Sequence, residues 1–223
     1  RRFDKSLAPV HNEDGSLALD HEEFPRPQTT LEGLAALKPA FEAMAEYPLD
    51  DQGTTYGALI RQVYPDLKIK HVHHAGNSSG VVDGAAAMVI GKESDAEKHG
   101  VKPIARIAGM GVAACDPRIM GWGPVPAVRN ALKKAGIEGK DVDIVEINEA
   151  FAAQACAVHK EMGWDTSKVN VNGGAIAIGH PIGASGCRIL VSLLHEMARR
   201  DAKKGIASLC IGGGMGVALT IER

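Results

Sequence analysis

The segment at residues 170–188, NVNGGAIAIGHPIGASGCR, places one histidine between a predicted strand and a predicted helix. A strand-like run at 168–171 leads into glycines, and the glycines at 183 and 186 open a long apolar helix pattern. His180 therefore lies in a turn, followed directly by Pro181. Because glycine permits positive φ and close backbone approach, a ligand can reach the imidazole. The pattern is typical of a binding or catalytic site rather than of a core.

Two more polar residues end predicted strands in the same half of the chain. Asn148 follows the strand-like run at 142–147, and Cys210 follows the run at 206–209. Open α/β folds collect their ligand-binding groups at such strand ends. An amide donor, a base and a thiol on three successive strand ends suggest one shared pocket. Taken alone, Asn148 could be a helix N-cap and Cys210 a small core residue.

Four ordered motifs carry a resemblance to a known family. NEAFA at 148–152, GGAIAIGHPIGASG at 173–186 and CIGGG at 210–214 resemble the three C-terminal signature blocks of the thiolases. GNSSG at 76–80, followed by DGAAA at 83–87, resembles the segment that lines the coenzyme A pantetheine channel. The resemblance implies a layered α/β fold with a mixed five-stranded sheet covered by helices.

The resemblance also implies a reaction and roles within it. Thiolases cleave a 3-ketoacyl-CoA with coenzyme A to acetyl-CoA and a shortened acyl-CoA, or run the reverse Claisen condensation. His180 would deprotonate a nucleophilic cysteine, and Cys210 would exchange a proton with the acetyl-CoA enolate. Asn148 would act with His180 on one thioester oxygen through a held water, and the N–H of Gly212 would serve the other. Fatty acid metabolism, including β-oxidation, is the implied context.

Coenzyme A is expected as a substrate, with no permanently bound cofactor. Ser79, Ala75, Ala150 and Phe151 match the family's pantetheine-contacting positions. Arg26, in a Phe-Pro-Arg-Pro passage that forbids a helix, would lie near the coenzyme A nucleotide. A plain surface arginine is an equally open interpretation of that residue.

The family's acyl-accepting cysteine has no counterpart among the four cysteines, which are Cys115, Cys156, Cys187 and Cys210. The chain therefore resembles the back half of a thiolase. Residues 1–70 would be the remainder of the loop domain, 71–101 the last part of the N-terminal core domain, and 102–223 the C-terminal core domain. An N-terminal half is the expected partner, as a separate chain, a nicked product or a segment outside this sequence. A homodimer or tetramer of the whole is also implied.

Residues 42–70 depart from the expected pattern, because an extra segment separates the KPAF motif at 38–41 from the glycine-rich block. It contains a predicted amphipathic helix at 55–67. The segment could reshape acyl specificity or form an oligomer contact. The alternative is a tolerated surface excursion.

Strands and helices alternate from residue 102 onward, which favours a layered α/β domain that ends in an antiparallel hairpin. The predicted elements are 104–109, 124–135, 142–147, 150–162, 168–171, 185–199, 205–210 and 216–222. Upstream, a capped helix is predicted to start at Thr29-Thr30, a helix at 94–100, and strands at 6–10 and 71–74. Residues 81–90 are predicted to form a buried helix or strand.

Composition excludes several other classes. A net charge of −2 and an aromatic content of 4% argue against nucleic-acid binding. No apolar run reaches the roughly 18 residues that a membrane span needs, and no signal peptide is evident. The cysteine spacing indicates reduced thiols, hence the cytoplasm of a bacterium or an organelle matrix in a eukaryote.

Metal and dinucleotide sites are not predicted. The histidines at 71, 73 and 74 lack cysteine or carboxylate ligands at suitable spacing. The glycines after Cys210 lead into a strand, whereas a dinucleotide fingerprint opens a helix.

Related families and a non-enzymatic role remain as alternatives. Decarboxylating ketoacyl synthases lack the second cysteine, and sterol-carrier-type thiolases carry histidine in place of the asparagine, so Cys210 and Asn148 favour the thiolase branch. A non-catalytic half-thiolase, kept as a scaffold or interaction subunit, would be expected to have lost these residues.

Overall fold

The computed structural model describes residues 3–4 and 6–223. Its α-helices are α1 (Leu31–Ala35), α2 (Tyr56–Val63), α3 (Glu93–Lys98), α4 (Pro124–Ala135), α5 (Ala152–Met162), α6 (Ala175–Ile178) and α7 (Ser185–Arg200). Its strands are β1 (Val10–His11), β2 (Leu17–Leu19), β3 (Arg106–Ala114), β4 (Ile144–Ile147), β5 (Lys204–Ile211) and β6 (Met215–Glu222). Within these residues, no helix combines the length and apolar character that crossing a membrane requires.

The central sheet has the strand order β3-β6-β5-β4. β4 and β5 run parallel, whereas β5 pairs with β6, and β6 with β3, in antiparallel fashion. The sheet is therefore mixed, and the predicted terminal hairpin is confirmed. Since β4 and β5 are parallel neighbours, their carboxyl ends reach the same edge of the sheet.

Helices cover both faces of this sheet, as the layered α/β class requires. On one face, Val145 and Ile147 of β4 pack with Val125 and Val128 of α4. On the other face, Ile144 packs with Ile189, Leu190, Leu193 and Met197 of α7. Successive residues of a strand point to opposite faces, so β4 is buried on both sides.

The packing of α4 against β3 depends on two glycines. At Gly111 a Cβ atom would overlap the carbonyl oxygen of Ala127, and at Gly109 it would overlap that of Ala131. These contacts are with helix backbone, which cannot rotate away. The short distance between the helix and the edge strand is therefore available only without side chains at these positions.

We expect Gly111→Ala to lower the free energy of unfolding by about 1–3 kcal/mol, because the added methyl group overpacks this contact. Urea denaturation of the variant and the parent chain measures the difference. Gly91→Ala is the matched control, since nothing lies within 4 Å of a Cβ atom there. Equal losses in the two variants would contradict the packing argument.

The sequence predicts a fifth strand at 168–171. This prediction is wrong, because the described sheet has four strands. Residues 166–168 form a 3-10 turn, and only Val169 bridges to Val145 in parallel. Asn170 then adopts a φ of 45°, which turns the backbone away. Its side chain accepts from Ile147 N at 2.8 Å and donates to Ile147 O at 2.9 Å, so an amide replaces the strand that would have continued there.

The first hundred residues contain both confirmed and failed predictions. The side chain of Thr30 caps α1, as the sequence indicated, and the predicted helix at 55–67 is the shorter α2, which the side chain of Thr55 caps. By contrast, residues 71–74 form no strand, and the predicted strand at 6–10 is only the short β1, which pairs with β2. Residues 81–90 form neither a helix nor a strand beyond an isolated bridge at Val81, and Val89 is 100% exposed. Met88 still packs against the core cluster of α7, whereas Val81, Val89 and Ile90 are exposed.

Candidate active site

Asn148 and Cys210 lie at the carboxyl ends of adjacent parallel strands. The register of β4 and β5 pairs Ile147 with Ser208, and Asn148 N donates to Ser208 O at 3.0 Å. Asn148 is only 1% exposed, and its Oδ1 accepts no hydrogen bond from the described residues. Buried amide oxygens are normally paired, so this acceptor is available to a water or ligand at the edge of the sheet.

A single extended segment joins this edge to the histidine. Ser78 bridges to Phe151, and Ser79 N donates to Ala150 O at 3.0 Å. One residue further, Gly80 O accepts from His180 N at 2.8 Å. Residues 78–80 therefore run between the turn that follows β4 and the turn that precedes α7, which brings the predicted coenzyme A segment beside the histidine.

The hydrogen bonds of Ser185 define the proton position on His180. Ser185 is fully buried, and its hydroxyl donates to Pro181 O at 3.0 Å. A carbonyl oxygen only accepts, so the single hydroxyl proton is committed there. Ser185 Oγ lies 2.5 Å from His180 Nδ1, and with the hydroxyl proton on Pro181 O this oxygen accepts from the Nδ1–H tautomer. The neutral imidazole is left with an unprotonated Nε2, the nitrogen that can act as a base.

The surroundings of His180 favour this neutral form. Burial lowers the pKa of His180 below its ordinary value of 6.5, and the nearby Arg188 cation lowers it further. Both effects penalise the imidazolium. The fraction that can accept a proton is therefore high at neutral pH.

In contrast to the neutral, proton-accepting His180, the thiol of Cys210 keeps its proton near neutral pH. Burial raises the pKa of Cys210 above its ordinary value of 9.0, and the Cys115 thiol nearby adds to the increase. The backbone after it turns tightly at Gly213 and Gly214, with φ values of 81° and 87°. Gly212, at the start of this turn, is exposed with open space where a side chain would be, so its backbone is accessible.

The buried carboxyl group of Glu146 lies on β4, two residues before Asn148. Glu146 shares the α7-facing side of β4 with Ile144 and is 2% exposed. Burial raises the pKa of Glu146 to about 8, against the attraction of the Arg188 guanidinium. Arg188 Nε and Nη2 are themselves buried and donate no hydrogen bond to the described residues. Arg188 thus links Glu146 and His180 electrostatically.

Ala75, Phe151 and Arg26, which are also predicted to contact coenzyme A, lie near residues 78–80. Ala75 begins a 3-10 turn that the His74 side chain caps. Phe151 forms an aromatic cluster with His73, at 4.7 Å between ring centroids, and with Phe41, at 6.1 Å. Arg26 is exposed, and its guanidinium lies 5.4 Å from the ring centre of Phe24, the ring that fills the space beside Gly80.

Sequence reasoning did not single out Ser185, Glu146, Glu149, Asn170 or Arg188. Ser185 and Arg188 fall in or beside the GASG block, but their partners depend on how α7 meets the preceding turn. In the part of the chain that the structure describes, no three His, Cys, Asp or Glu side chains are grouped to hold a metal ion.

Comparisons with known proteins agree with this architecture. Residues 101–223 match the family model described as the C-terminal domain of thiolase. Acetyl-CoA acetyltransferases of Thiocystis violacea and Cupriavidus necator are 53% and 52% identical over 100% of this chain, which covers 50% and 51% of those proteins. The crystal structure of the Bacillus anthracis acetyl-CoA acetyltransferase matches with a TM-score of 0.80 at 44% identity, over 99% of this chain and 50% of that one. Human mitochondrial 3-ketoacyl-CoA thiolase in complex with CoA matches with a TM-score of 0.81 at 45% identity, over 99% and 49%.

These matches define an α/β fold of the kind found in CoA-dependent acyltransferases. The chain belongs to the thiolase family. It spans about half the length of the curated relatives that it matches.

Proposed function

We propose that this chain supplies the proton-transfer half of a thiolase active site. The reaction is the cleavage of a 3-ketoacyl-CoA by coenzyme A to acetyl-CoA and a shortened acyl-CoA, or the reverse condensation. The observation that carries the proposal is the pairing of His180 Nδ1 with the buried Ser185 hydroxyl, which leaves Nε2 as a base. The acetyl-CoA acetyltransferase and 3-ketoacyl-CoA thiolase names of the relatives support the same reaction.

In the cleavage direction, a cysteine of an N-terminal half loses its proton to His180 and attacks the 3-keto carbon. The bond between C2 and C3 then breaks, and its electron pair passes to C2 of the departing acetyl-CoA. Cys210 donates its thiol proton to that carbon, a role that suits a thiol whose pKa burial has raised. Coenzyme A next gives its thiol proton to the Cys210 thiolate and attacks the acyl-enzyme carbonyl. The bond to the nucleophilic cysteine then breaks, that cysteine regains its proton from His180, and the shortened acyl-CoA is released.

Negative charge on the two carbonyl oxygens requires fixed donors. Asn148 and His180 would stabilise one oxygen, with a water held by the asparagine amide. The N–H of Gly212 would stabilise the other, at a turn whose open space lets substrate approach the backbone. His180, Cys210, Asn148 and Gly212 are therefore the proposed catalytic residues.

Coenzyme A would bind along residues 75–80, with its pantetheine arm against Ser79, Ala75, Ala150 and Phe151. The hydrogen bond from Ser79 N to Ala150 O supports this assignment, because it aligns that segment with the histidine. Arg26 would contact the nucleotide end. No permanently bound cofactor takes part in the proposed reaction.

The proposed domain division is 1–70 for the loop domain, 71–101 for the end of the N-terminal core domain and 102–223 for the C-terminal core domain. The segment at 42–70, which folds into a 3-10 turn and α2, would influence acyl specificity or oligomer contacts. Assembly as a homodimer or tetramer, a bacterial cytoplasmic location and a role in fatty acid metabolism, including β-oxidation, complete the proposal.

Co-expression with an N-terminal half tests this function. The half of the Thiocystis violacea relative that this chain does not cover is the suitable partner, and intact mass spectrometry establishes whether the two pieces copurify. The pair should consume acetoacetyl-CoA only when coenzyme A is present, and His180→Ala should reduce the rate about 10²–10⁴-fold. Copurification without turnover would overturn the proposal in favour of a non-catalytic scaffold.

Ser185→Ala should lower kcat of this assembled pair about 10–100-fold, because Nδ1–H loses its acceptor and the imidazole can adopt the wrong tautomer. The ¹⁵N chemical shifts of the His180 ring report the tautomer directly. Ser167→Ala, at an exposed turn, is the matched control. Retention of the Nδ1–H tautomer in Ser185→Ala would contradict the assignment.

A further inference from the structure

Glu149, next to Asn148, connects two segments that are distant in sequence. One oxygen of its carboxylate accepts from Asn170 Nδ2 at 3.0 Å, and the other accepts from Ile176 N at 3.1 Å. The carboxylate also fills the space beside Gly174, where any Cβ atom would overlap it. The side chain is thus held on three sides by the residues that precede His180.

Through Asn170, the Glu149 carboxylate is connected to the end of β4. The Asn170 amide accepts from Ile147 N and donates to Ile147 O, the residue directly before Asn148. Because Asn170 binds both the strand end and the carboxylate, the backbone before Asn148 and the side chain after it are fixed through one amide group.

Through Ile176, the Glu149 carboxylate is connected to the short helix α6, which directly precedes the turn with His180. Gly174 is the N-cap of α6 and has no side chain to accept from the first turn, so the Glu149 carboxylate takes the place of a capping side chain. α6 consists of Ala175–Ile178, and Gly179 alone separates it from His180. A shift of α6 would therefore move His180 directly.

We propose that Glu149 is a positioning residue that holds His180 and Asn148 in one fixed relative geometry. The inference rests on the proposed function, in which these two side chains act on the same oxygen. Such donor pairs must be held within fractions of an ångström to stabilise developing charge. Glu149 is the side chain that contacts both the Asn170 amide at the end of β4 and the backbone of α6.

Glu149→Ala should lower kcat of the assembled pair about 10–100-fold, while KM for coenzyme A changes less than about twofold. Glu149→Gln has one acceptor oxygen and can accept from Ile176 N or from Asn170 Nδ2 but not from both, so its kcat should lie between those of the parent and Glu149→Ala. Glu161→Gln is the matched control, because that carboxylate is exposed on α5 and pairs with Arg129.

Hydrogen exchange on the chain alone tests the geometry without turnover. Glu149→Ala should increase the exchange of amides at 175–180, whereas amides of α7 stay protected. Unchanged exchange would overturn the proposal whether or not the assembled pair is active. Unchanged kcat in Glu149→Ala, in a pair whose parent is active, would overturn it as well. Lack of turnover in the parent combined with altered exchange would refute only the proposed function.

Discussion

Cys210→Ser should slow carbon–carbon bond cleavage about 10²–10⁴-fold while sparing acyl transfer from a pre-activated thioester. The reason is the proton that Cys210 would donate to the acetyl-CoA carbanion. A half-buried thiol with a raised pKa holds its proton near neutral pH and can still exchange it. A serine hydroxyl of similar size is a far weaker acid, and it neither donates to the carbanion nor accepts from acetyl-CoA at a useful rate.

Two half-reactions of the assembled pair separate this role from a structural one. Acetoacetyl-CoA cleavage requires the proton transfer, whereas exchange of the acetyl group between acetyl-CoA and a second thiol requires only acylation and deacylation. Cys156→Ser is the matched control, because that cysteine is exposed on α5. Equal losses in both half-reactions of Cys210→Ser would show that Cys210 has no selective part in bond cleavage.

Glu146→Gln should raise the free energy of unfolding, and the gain should grow with pH. The pKa of Glu146 is about 8 in the folded chain, against an ordinary value of 4.5. Between these values the folded state binds the proton more tightly than the unfolded state, so stability is lost as pH rises towards 8. Glutamine keeps the shape of the side chain and has no charge to bury, which removes that loss.

The expected difference is on the order of a few kcal/mol between pH 5 and pH 8. Urea denaturation of the parent chain and Glu146→Gln at several pH values measures it. Glu138→Gln is a suitable control, since that side chain is exposed and pairs with Lys140. Parallel stability curves for the parent and Glu146→Gln would mean that Glu146 is not buried as a protonated acid.

Glu146 also bears on the histidine through Arg188. The Arg188 cation lowers the pKa of His180, and it is itself attracted by Glu146 and Glu149. Loss of the Glu146 proton at high pH would therefore partly offset the effect of Arg188 on the imidazole. Glu146 and Glu149 can thus influence the pKa of His180 through Arg188 without contacting substrate.

The local features of this fold were readable from the sequence. The threonine cap of α1, Gly136, which ends α4 with a φ of 67°, and the terminal hairpin all agree with the sequence pattern. So does the location of Asn148, His180 and Cys210 at strand ends or in a turn. Caps, turns and strand alternation depend on a few neighbouring residues, so the sequence by itself determines them.

Partners across the fold were decided only by the tertiary structure. Asn170 replaced the predicted fifth strand because its amide reaches Ile147, more than twenty positions away. Glu149 contacts α6 through Ile176 N, and Arg188 acts electrostatically on both Glu146 and His180, although these residues are far apart in the sequence. Such contacts depend on strand order and helix packing, which no local pattern encodes. The sequence alone therefore predicts which residues would carry the chemistry, and the tertiary structure decided which side chains contact them and bury them.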